Sequence, residues 1–335
     1  MALVLLREAR KCVMVNVDLL FKRHKACQSA RKAAFLCGMR VMVTGTTGQL
    51  GGRLMAHAGH PVAWNKTLQA CDRDVMDLEE PATFAAALDR LRPDVVLSCA
   101  AYTAVDAAED DADRAQRING VAPGLLAEAC AQRNIRMVHI STDYVFDGTG
   151  TRPYLPEDET SPLGVYGRSK LAGEQAVLSA LPAASIIRVS WLYDREGHNF
   201  LNTMLRLAAD RDVLTVVNDQ QGCPTHAGHL AEDLLHWVDL MVEDPGRTAG
   251  IHHYGHQGIT TWHGFASAIL ADRAPGVDVQ PVPTSAFPTR AERPAYSKLD
   301  ERPFFEALGS ESVSWEEALK SCLMPKFPGT PNALP

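Results

Sequence analysis

The sequence predicts an α/β fold, a doubly wound parallel sheet with a smaller α/β lobe interleaved in it. Three observations carry that prediction. From residue 39 onward, short apolar runs alternate with amphipathic stretches, the pattern of parallel βαβ units whose strands are covered on both faces. A glycine-rich turn follows the first apolar run and opens the first amphipathic stretch. The 335 residues are 46% hydrophobic and 22% charged, which suffices to bury a large core without disulfide or metal staples.

Taken in order, residues 40–44 read as a buried strand and 50–57 as a helix. A second strand follows over 68–72, a helix over 81–91 and a third strand over 94–99. Residues 112–133 read as helical, as one or two segments because Gly120, Pro123 and Gly124 interrupt them. A fourth strand covers 137–141, a helix 165–178 and a fifth strand 185–190. Beyond about residue 190 the alternation weakens, leaving helices over 199–209 and 229–242 and a strand over 214–217. These elements predict a dinucleotide-binding half over 39–190, with elements from about 214–245 returning to it. The substrate lobe is expected over 191–213 and 246–325, and a loose tail over 326–335. Residues 1–38 are rich in Lys and Arg and are expected to add nothing to the fold.

Composition excludes some functions. A net charge of −7 argues against nucleic acid or an anionic membrane as the main partner. No apolar run reaches the roughly 18 residues needed to span a bilayer. The eight cysteines are irregularly spaced and include no C-x-x-C pair, which reads as reduced thiols in a cytoplasmic protein. His252, His253 and His256 form no recognisable ligand set with their neighbours, so no metal is expected.

The turn Thr44-Gly45-Thr46-Thr47-Gly48-Gln49-Leu50-Gly51 is a G-x-x-G-x-x-G between strand and helix. Gly45 permits the tight turn, Gly48 removes a Cβ where a pyrophosphate approaches, and Gly51 lets the helix pack on the sheet. The helix N-terminus adds unsatisfied N–H groups. Asp72 ends the second strand, where an acidic residue commonly holds the adenosine ribose. Arg73 follows and suits a 2′-phosphate, so both NADH and NADPH are expected. Residues 61–67 lengthen the approach to that strand. Tyr166 and Lys170 form Y-x-x-x-K on one face of a helix. A cation one turn away favours the phenolate and brings the phenol toward its working range. Thr142 stands at the carboxyl end of the fourth strand, where ligands sit in such sheets. Asn119 is either the anchor of a relay water or a helix polar residue bonded to backbone.

In this order the Gly turn, Ser141-Thr142-Asp143-Tyr144-Val145-Phe146-Asp147-Gly148 and Tyr166-Gly167-Arg168-Ser169-Lys170 with Gly173-Glu174 resemble the extended short-chain dehydrogenase/reductases. Further segments resemble the dTDP-4-dehydrorhamnose reductase family. They are the run from Ala100 to Asp106 with Glu109, the run from Arg188 to Tyr193, Asn199-Phe200, the run from Asn218 to Thr225, and the run from Arg293 to Asp300. The likeness spans residues 39 to about 319.

That resemblance implies a Rossmann-like fold and NADPH- or NADH-dependent reduction of the C4 ketone of dTDP-4-dehydro-L-rhamnose. It implies Thr142, Tyr166 and Lys170 as the catalytic set. Gly45, Gly48, Gln49, Leu50, Gly51, Asp72, Arg73, Asp77, Leu78, Ala101, Tyr102 and Thr103 would contact the cofactor, together with Tyr166 and Lys170. Thr142, Asp143 and Trp191 would contact the sugar nucleotide, and the loop from Asp219 to Thr225 would close over it; Arg293 is either a contact to the diphosphate of that substrate or a partner in a surface salt bridge. Arg53 replaces a Glu through which some members hold magnesium at a dimer contact, which argues against such a bridge and leaves a monomer or homodimer. Two alternatives stand beside this reading. One is a reductase of another nucleotide-linked 4-keto-6-deoxysugar. The other is a non-catalytic NADP-binding regulatory subunit like the methionine adenosyltransferase β subunit.

Overall fold

The computed structural model of the protein describes residues 38–63 and 65–324. The expected extension up to residue 37 and the expected tail lie outside the described residues.

In chain order the first half runs β1 (Met39–Thr44), α1 (Gln49–Ala56), β2 (Lys66–Cys71), α2 (Ala82–Leu91), β3 (Val95–Ser98), α3 (Val105–Ala108) and α4 (Ala112–Ala115). A π-helical segment (Gln116–Val121) joins α4 to α5 (Ala122–Ala131). Then come β4 (Arg136–Thr142), α6 (Val165–Ala180), β5 (Ser185–Val189) and the short β6 (Leu192–Tyr193). The predicted helix over 112–133 is thus one helical path with a widened turn. Pro123 supplies no N–H, and a π turn is one way for a helix to absorb that gap.

The second half runs α7 (Phe200–Ala208), β7 (Val213–Val217), β8 (Gln221–Gly222), β9 (Thr225–His226), α8 (Ala227–Glu243), α9 (Pro245–Thr248) and β10 (Gly250–Tyr254). It ends with β11 (Thr260–Thr261), α10 (Trp262–Arg273), β12 (Asp278–Val282), α11 (Arg302–Leu308) and α12 (Trp315–Leu323).

Six strands form one parallel sheet in the order β10-β5-β4-β3-β1-β2. The period of two in each strand sends alternate residues to opposite faces. Val41, Val43, Val95, Leu97, Val138 and Ile187 meet α1, α8 and α11 on one side. Met42, Val96, Met137 and Ile186 meet α2, α5 and α6 on the other. Both faces are covered, which is why these strands read as continuous apolar runs. The chain moves outward from β1 to β2, then returns past β1 to β3. The carboxyl ends of β1 and β3 therefore flank a topological switch point, where open α/β sheets bind ligands.

The second lobe has its own core of Tyr193, Leu201, Met204, Leu214, Val216, Phe265, Ile269 and Trp315. Residues 214–245, expected to return to the first half, divide between the lobes. Helix α8 does return, burying Leu230, Leu234, Trp237 and Val238 in the first core. Strand β7 instead pairs with β12 in the small lobe, because Leu214 and Val216 bury beside α10. Conversely, the sixth strand of the large sheet is β10, and α11 adds Phe304 and Phe305 to the first core. Both lie inside the stretch expected to belong wholly to the substrate lobe.

Candidate active site

Gly45 takes φ +67, a conformation that favours glycine. A Cβ there would also meet the backbone of Ala100 at 2.9 Å. Gly51 is tighter still, since its Cβ would fall 2.2 Å from the Gly45 carbonyl oxygen. Gly45 lets the turn pass against the chain leaving β3, and Gly51 lets α1 start directly against that turn. Gly48 is different: its Cβ would meet only the Gly45 oxygen, at 3.2 Å. The absent Cβ at Gly48 widens the approach to the turn. Thr44 Oγ1 accepts from the N–H groups of Cys99 and Ala100, at 3.0 Å each, locking the ends of β1 and β3 together.

Two adjoining cavities open on this turn. The larger, about 590 Å³, is lined by Gly48, Gln49, Leu50, Thr103, Thr142, Asp143, Tyr166, Lys170 and Trp191. The smaller, about 410 Å³, is lined by Asp72, Arg73, Asp77, Leu78, Tyr102 and Arg114; Gly45 and Ala101 line both. Every residue expected to contact the cofactor borders one or the other. The Gly turn lies where the two spaces adjoin.

Asp72 follows β2 directly and accepts a hydrogen bond from the Thr46 hydroxyl of the turn. Tyr102 is fixed by Asn119, whose side chain accepts from the Tyr102 N–H at 2.8 Å and donates to its carbonyl at 2.9 Å. Asn119 also donates to Ser169 Oγ at 3.1 Å. These are the contacts of a helix polar residue bonded to backbone, one of the two roles the sequence leaves open.

Thr142 ends β4. Its hydroxyl donates to Asp143 Oδ1 at 3.0 Å and accepts from the Tyr144 N–H at 3.2 Å. Tyr166 lies in the first turn of α6, and three contacts fix that turn. The Val165 N–H, unpaired by the helix itself, donates to Glu109 Oε1 at 2.7 Å. A Cβ on Gly167 would meet the Tyr144 carbonyl oxygen at 2.2 Å, so glycine lets the helix touch the segment carrying Thr142. The Tyr166 ring meets Tyr144 edge-on, with centroids 5.5 Å apart.

Burial dominates the electrostatics. Burial and the neighbouring Asp143 charge push the Tyr166 phenol up, and hydrogen bonding with Thr142 opposes them. The Asp143 carboxyl is pushed up to about 7 by burial, and its Oδ2 has no hydrogen-bond partner. Burial lowers Lys170 to about 8, partly offset by Glu174. The expected pairing of Lys170 with the phenol takes another form. Lys170 Nζ donates to the Ile140 carbonyl at 2.6 Å and lies 3.2 Å from His139 Nε2. The helix turns the ammonium toward the β4 backbone, because that is where a buried donor finds its acceptors.

Trp191 closes the opposite wall. It has φ +46, rare for a large side chain, and stacks on Trp262 with centroids 3.6 Å apart. The loop expected to close over the nucleotide packs beneath this tryptophan: a Cβ on Gly222 would lie 2.6 Å from its indole. Arg293, read as either a diphosphate contact or a salt-bridge partner, forms an ion pair. It donates to Asp106 Oδ2 at 2.6 Å and to the Tyr144 hydroxyl at 3.3 Å. The contact ties the C-terminal segment to the run beginning at Ala100 and sets Arg293 against Tyr144 of the cleft wall.

One cluster with metal-ligand chemistry lies apart from the cleft: Asp194, His226 and Cys322, all buried, with ligand atoms within 4.8 Å of one another. Arg53 already holds Asp194 through both its Nε and its Nη2, the latter at 2.6 Å. A guanidinium thus stands beside this carboxylate and neutralises it. Sequence reasoning quoted Tyr144 in a motif without giving it a role, and it missed Arg114 and Trp262. Their places depend on contacts between segments far apart in the chain, and no local spacing signals them.

A family profile described as RmlD substrate binding domain matches residues 39–326. The dTDP-4-dehydrorhamnose reductase of Burkholderia thailandensis is 40% identical over 299 residues, covering 85% of this chain and 98% of the relative. That of Salmonella typhimurium is 39% identical over 302 residues, covering 87% and 99%. Among solved structures, a Clostridium acetobutylicum dTDP-4-dehydrorhamnose reductase superposes with a TM-score of 0.78 at 35% identity, covering 85% of this chain and 98% of that one. The Bacillus anthracis dTDP-4-dehydrorhamnose reductase, solved in complex with NADP, gives a TM-score of 0.78 at 33% identity with the same coverage. No helix among the described residues is long and apolar enough to cross a membrane. With a profile match over most of its length and relatives matched nearly end to end, the chain belongs to the dTDP-4-dehydrorhamnose reductase family.

Proposed function

We propose that this chain is a dTDP-4-dehydrorhamnose reductase, a cytoplasmic enzyme acting as a monomer or homodimer. It would use NADPH or NADH to reduce the C4 ketone of dTDP-4-dehydro-L-rhamnose, giving dTDP-L-rhamnose. The observation that carries this reading is the cleft itself, where Thr142, Tyr166 and Lys170 face the Gly45–Gly51 turn and Trp191 across one space. The relatives' names and the NADP in the Bacillus anthracis structure support the substrate and the cofactor.

The two cavities and the open approach at Gly48 fit a dinucleotide, with Asp72 at the ribose and the turn at the pyrophosphate. When bound, the reduced nicotinamide supplies the hydride. Tyr166 donates a proton to the oxygen of the reduced carbonyl. Burial keeps this phenol protonated, the state a proton donor requires. Thr142 hydrogen-bonds the same oxygen. Lys170, charged and held by the Ile140 carbonyl, stabilises the negative charge left on the phenol. The unpartnered Asp143 oxygen receives a hydroxyl of the sugar, and Trp191 covers its apolar face.

The test is purified protein with the 4-keto sugar nucleotide, followed by loss of the reduced nicotinamide absorbance. Tyr166→Phe should fold and bind cofactor but lose about 10²–10⁴-fold in turnover. Full activity in that variant would refute the proton-donor role. Turnover confined to a different 4-keto-6-deoxysugar nucleotide would refute the substrate.

A further inference from the structure

Met137, His139 and Ser141 alternate along β4 and share the face that α6 covers, where Met137 joins Val177 in the second core. Two residues of α6, one turn apart, reach the other two. Lys170 Nζ lies 3.2 Å from His139 Nε2, and Glu174 Oε1 accepts from the Ser141 hydroxyl. On the far side of the imidazole, His139 Nδ1 lies 3.2 Å from Ser98 Oγ, at the end of β3. His139 is wholly buried and Lys170 is 2% exposed.

An ammonium has three N–H donors and no acceptor. The Ile140 carbonyl takes one of them at 2.6 Å. His139 Nε2 takes a second only when the ring proton sits on Nδ1, and Ser98 Oγ stands where that Nδ1–H needs an acceptor. Burial and the Lys170 charge hold the imidazole well below its ordinary value, so it stays neutral. The other groups facing Lys170 do not pair with it directly. Glu174 attracts it, but the two carboxylate oxygens bond to Arg188 and Ser141. Burial pushes the Cys99 thiol up to about 12 and the Tyr166 phenol up as well, so both are neutral. A buried ammonium in that position depends on its hydrogen bonds.

We propose that His139 is a positioning residue for the reduction, acting through Lys170. Held by Ser98 in the tautomer with its proton on Nδ1, the imidazole accepts one ammonium proton. The Ile140 carbonyl accepts another, and the third is left for the cleft that Lys170 lines. The pair fixes both the direction and the charge of the group that stabilises the phenolate of Tyr166. The inference rests on the reductase reading above, in which Lys170 works as an ammonium.

The experiment has two arms. Nitrogen nuclear magnetic resonance of cofactor-free protein with isotopically labelled histidine reads the tautomer, the His139 signals being those lost in His139→Gln. A proton on Nδ1 and a bare Nε2 are expected near neutrality; a proton on Nε2 overturns the proposal. This arm stands even where a variant loses turnover. The second arm follows turnover against pH for wild type, His139→Leu and His139→Gln. Burial lowers Lys170 to about 8, so wild-type turnover should fall as the pH rises through that value and the ammonium loses its proton. Leucine removes the acceptor, and losing a hydrogen bond to a charged group should move the fall to lower pH by about one unit or more. Glutamine returns an acceptor oxygen near the place of Nε2 and should keep the fall within about half a unit of wild type. A merely structural role would lower turnover equally at every pH. An unmoved profile in His139→Leu, or equal shifts in both variants, overturns the proposal. Wild type that carries the expected tautomer yet reduces no 4-keto sugar nucleotide would refute the reductase reading and leave the His139–Lys170 pair in place.

Discussion

Asp143 and Tyr166 border the same cleft, and burial pushes both toward their protonated forms. For Asp143 the folded value is about 7, against about 3.9 for an unfolded aspartate. Between those values the folded chain holds a proton that the unfolded chain has released. The associated stability is complete below about pH 4 and is lost as the pH rises through about 7. Asp143→Asn has no such proton. The stability difference between wild type and Asp143→Asn should therefore drift across that window and level off on either side. Chemical denaturation at a series of pH values checks this, and parallel curves would show that Asp143 titrates normally. Asp233 is also raised, to about 6, but it is present in both proteins and cancels in the difference. The sequence showed which residue types sit here. It did not show their protonation, because the i, i+4 spacing of Tyr166 and Lys170 carries no information about burial or about the Ile140 carbonyl that takes the ammonium.

Helix α6 carries both Tyr166 and Lys170, so its seating sets the active-site geometry. A Cβ on Gly173 would lie 2.1 Å from the Asn119 carbonyl oxygen, at the widened π turn. Glu174 forms a buried ion pair with Arg188 of β5, with Arg188 Nη2 2.7 Å from Glu174 Oε2 and side chains 1% and 2% exposed. The glycine and the glutamate of the Tyr166–Glu174 motif thus dock the helix on α5 and on the sheet, while its tyrosine and lysine face the cleft. Gly173→Ala should cost about 1–3 kcal/mol through overpacking and lower turnover with it. Glu174→Ala should cost about 3–5 kcal/mol, because Arg188 is left buried without its counter-charge. Gly276→Ala, with nothing within 4 Å of the added methyl, is the control and should stay within about 0.5 kcal/mol. Thermal or denaturant unfolding of the three variants is the measurement. Equal stability for Gly173→Ala and the control would contradict this docking.

Across the whole molecule, the sequence was most legible where both sheet faces are covered. Strands β1, β3, β4 and β5 each carry a short run of buried apolar residues, and each was placed to within two residues. Strand β10 escaped because its Gly250, His252 and His253 do not read as a strand. His252 and His253 bond to backbone carbonyls of Thr248 and Tyr154, contacts formed only in the folded chain. Helix α10, which supplies the partner of Trp191, was hidden by Gly264 and His263 in its first turn, although Thr261 caps it. The small lobe is assembled from segments distant in sequence, so local periodicity could not divide it. The two adjoining cavities nonetheless gather the site residues read from the sequence apart from Arg293, which pairs with Asp106.

The central claim is that this cleft passes hydride from a nicotinamide to the C4 ketone of a sugar nucleotide. The most direct test is to supply NADPH deuterated at C4 of the nicotinamide, as each of its two labelled forms in turn, with dTDP-4-dehydro-L-rhamnose, and to locate the label in the product by nuclear magnetic resonance. The account predicts that one of the two forms delivers deuterium to C4 of dTDP-L-rhamnose, and that Tyr166→Phe slows the transfer. Protein that binds NADPH yet returns the sugar nucleotide unreduced, or product without deuterium at C4 from either form, would contradict it.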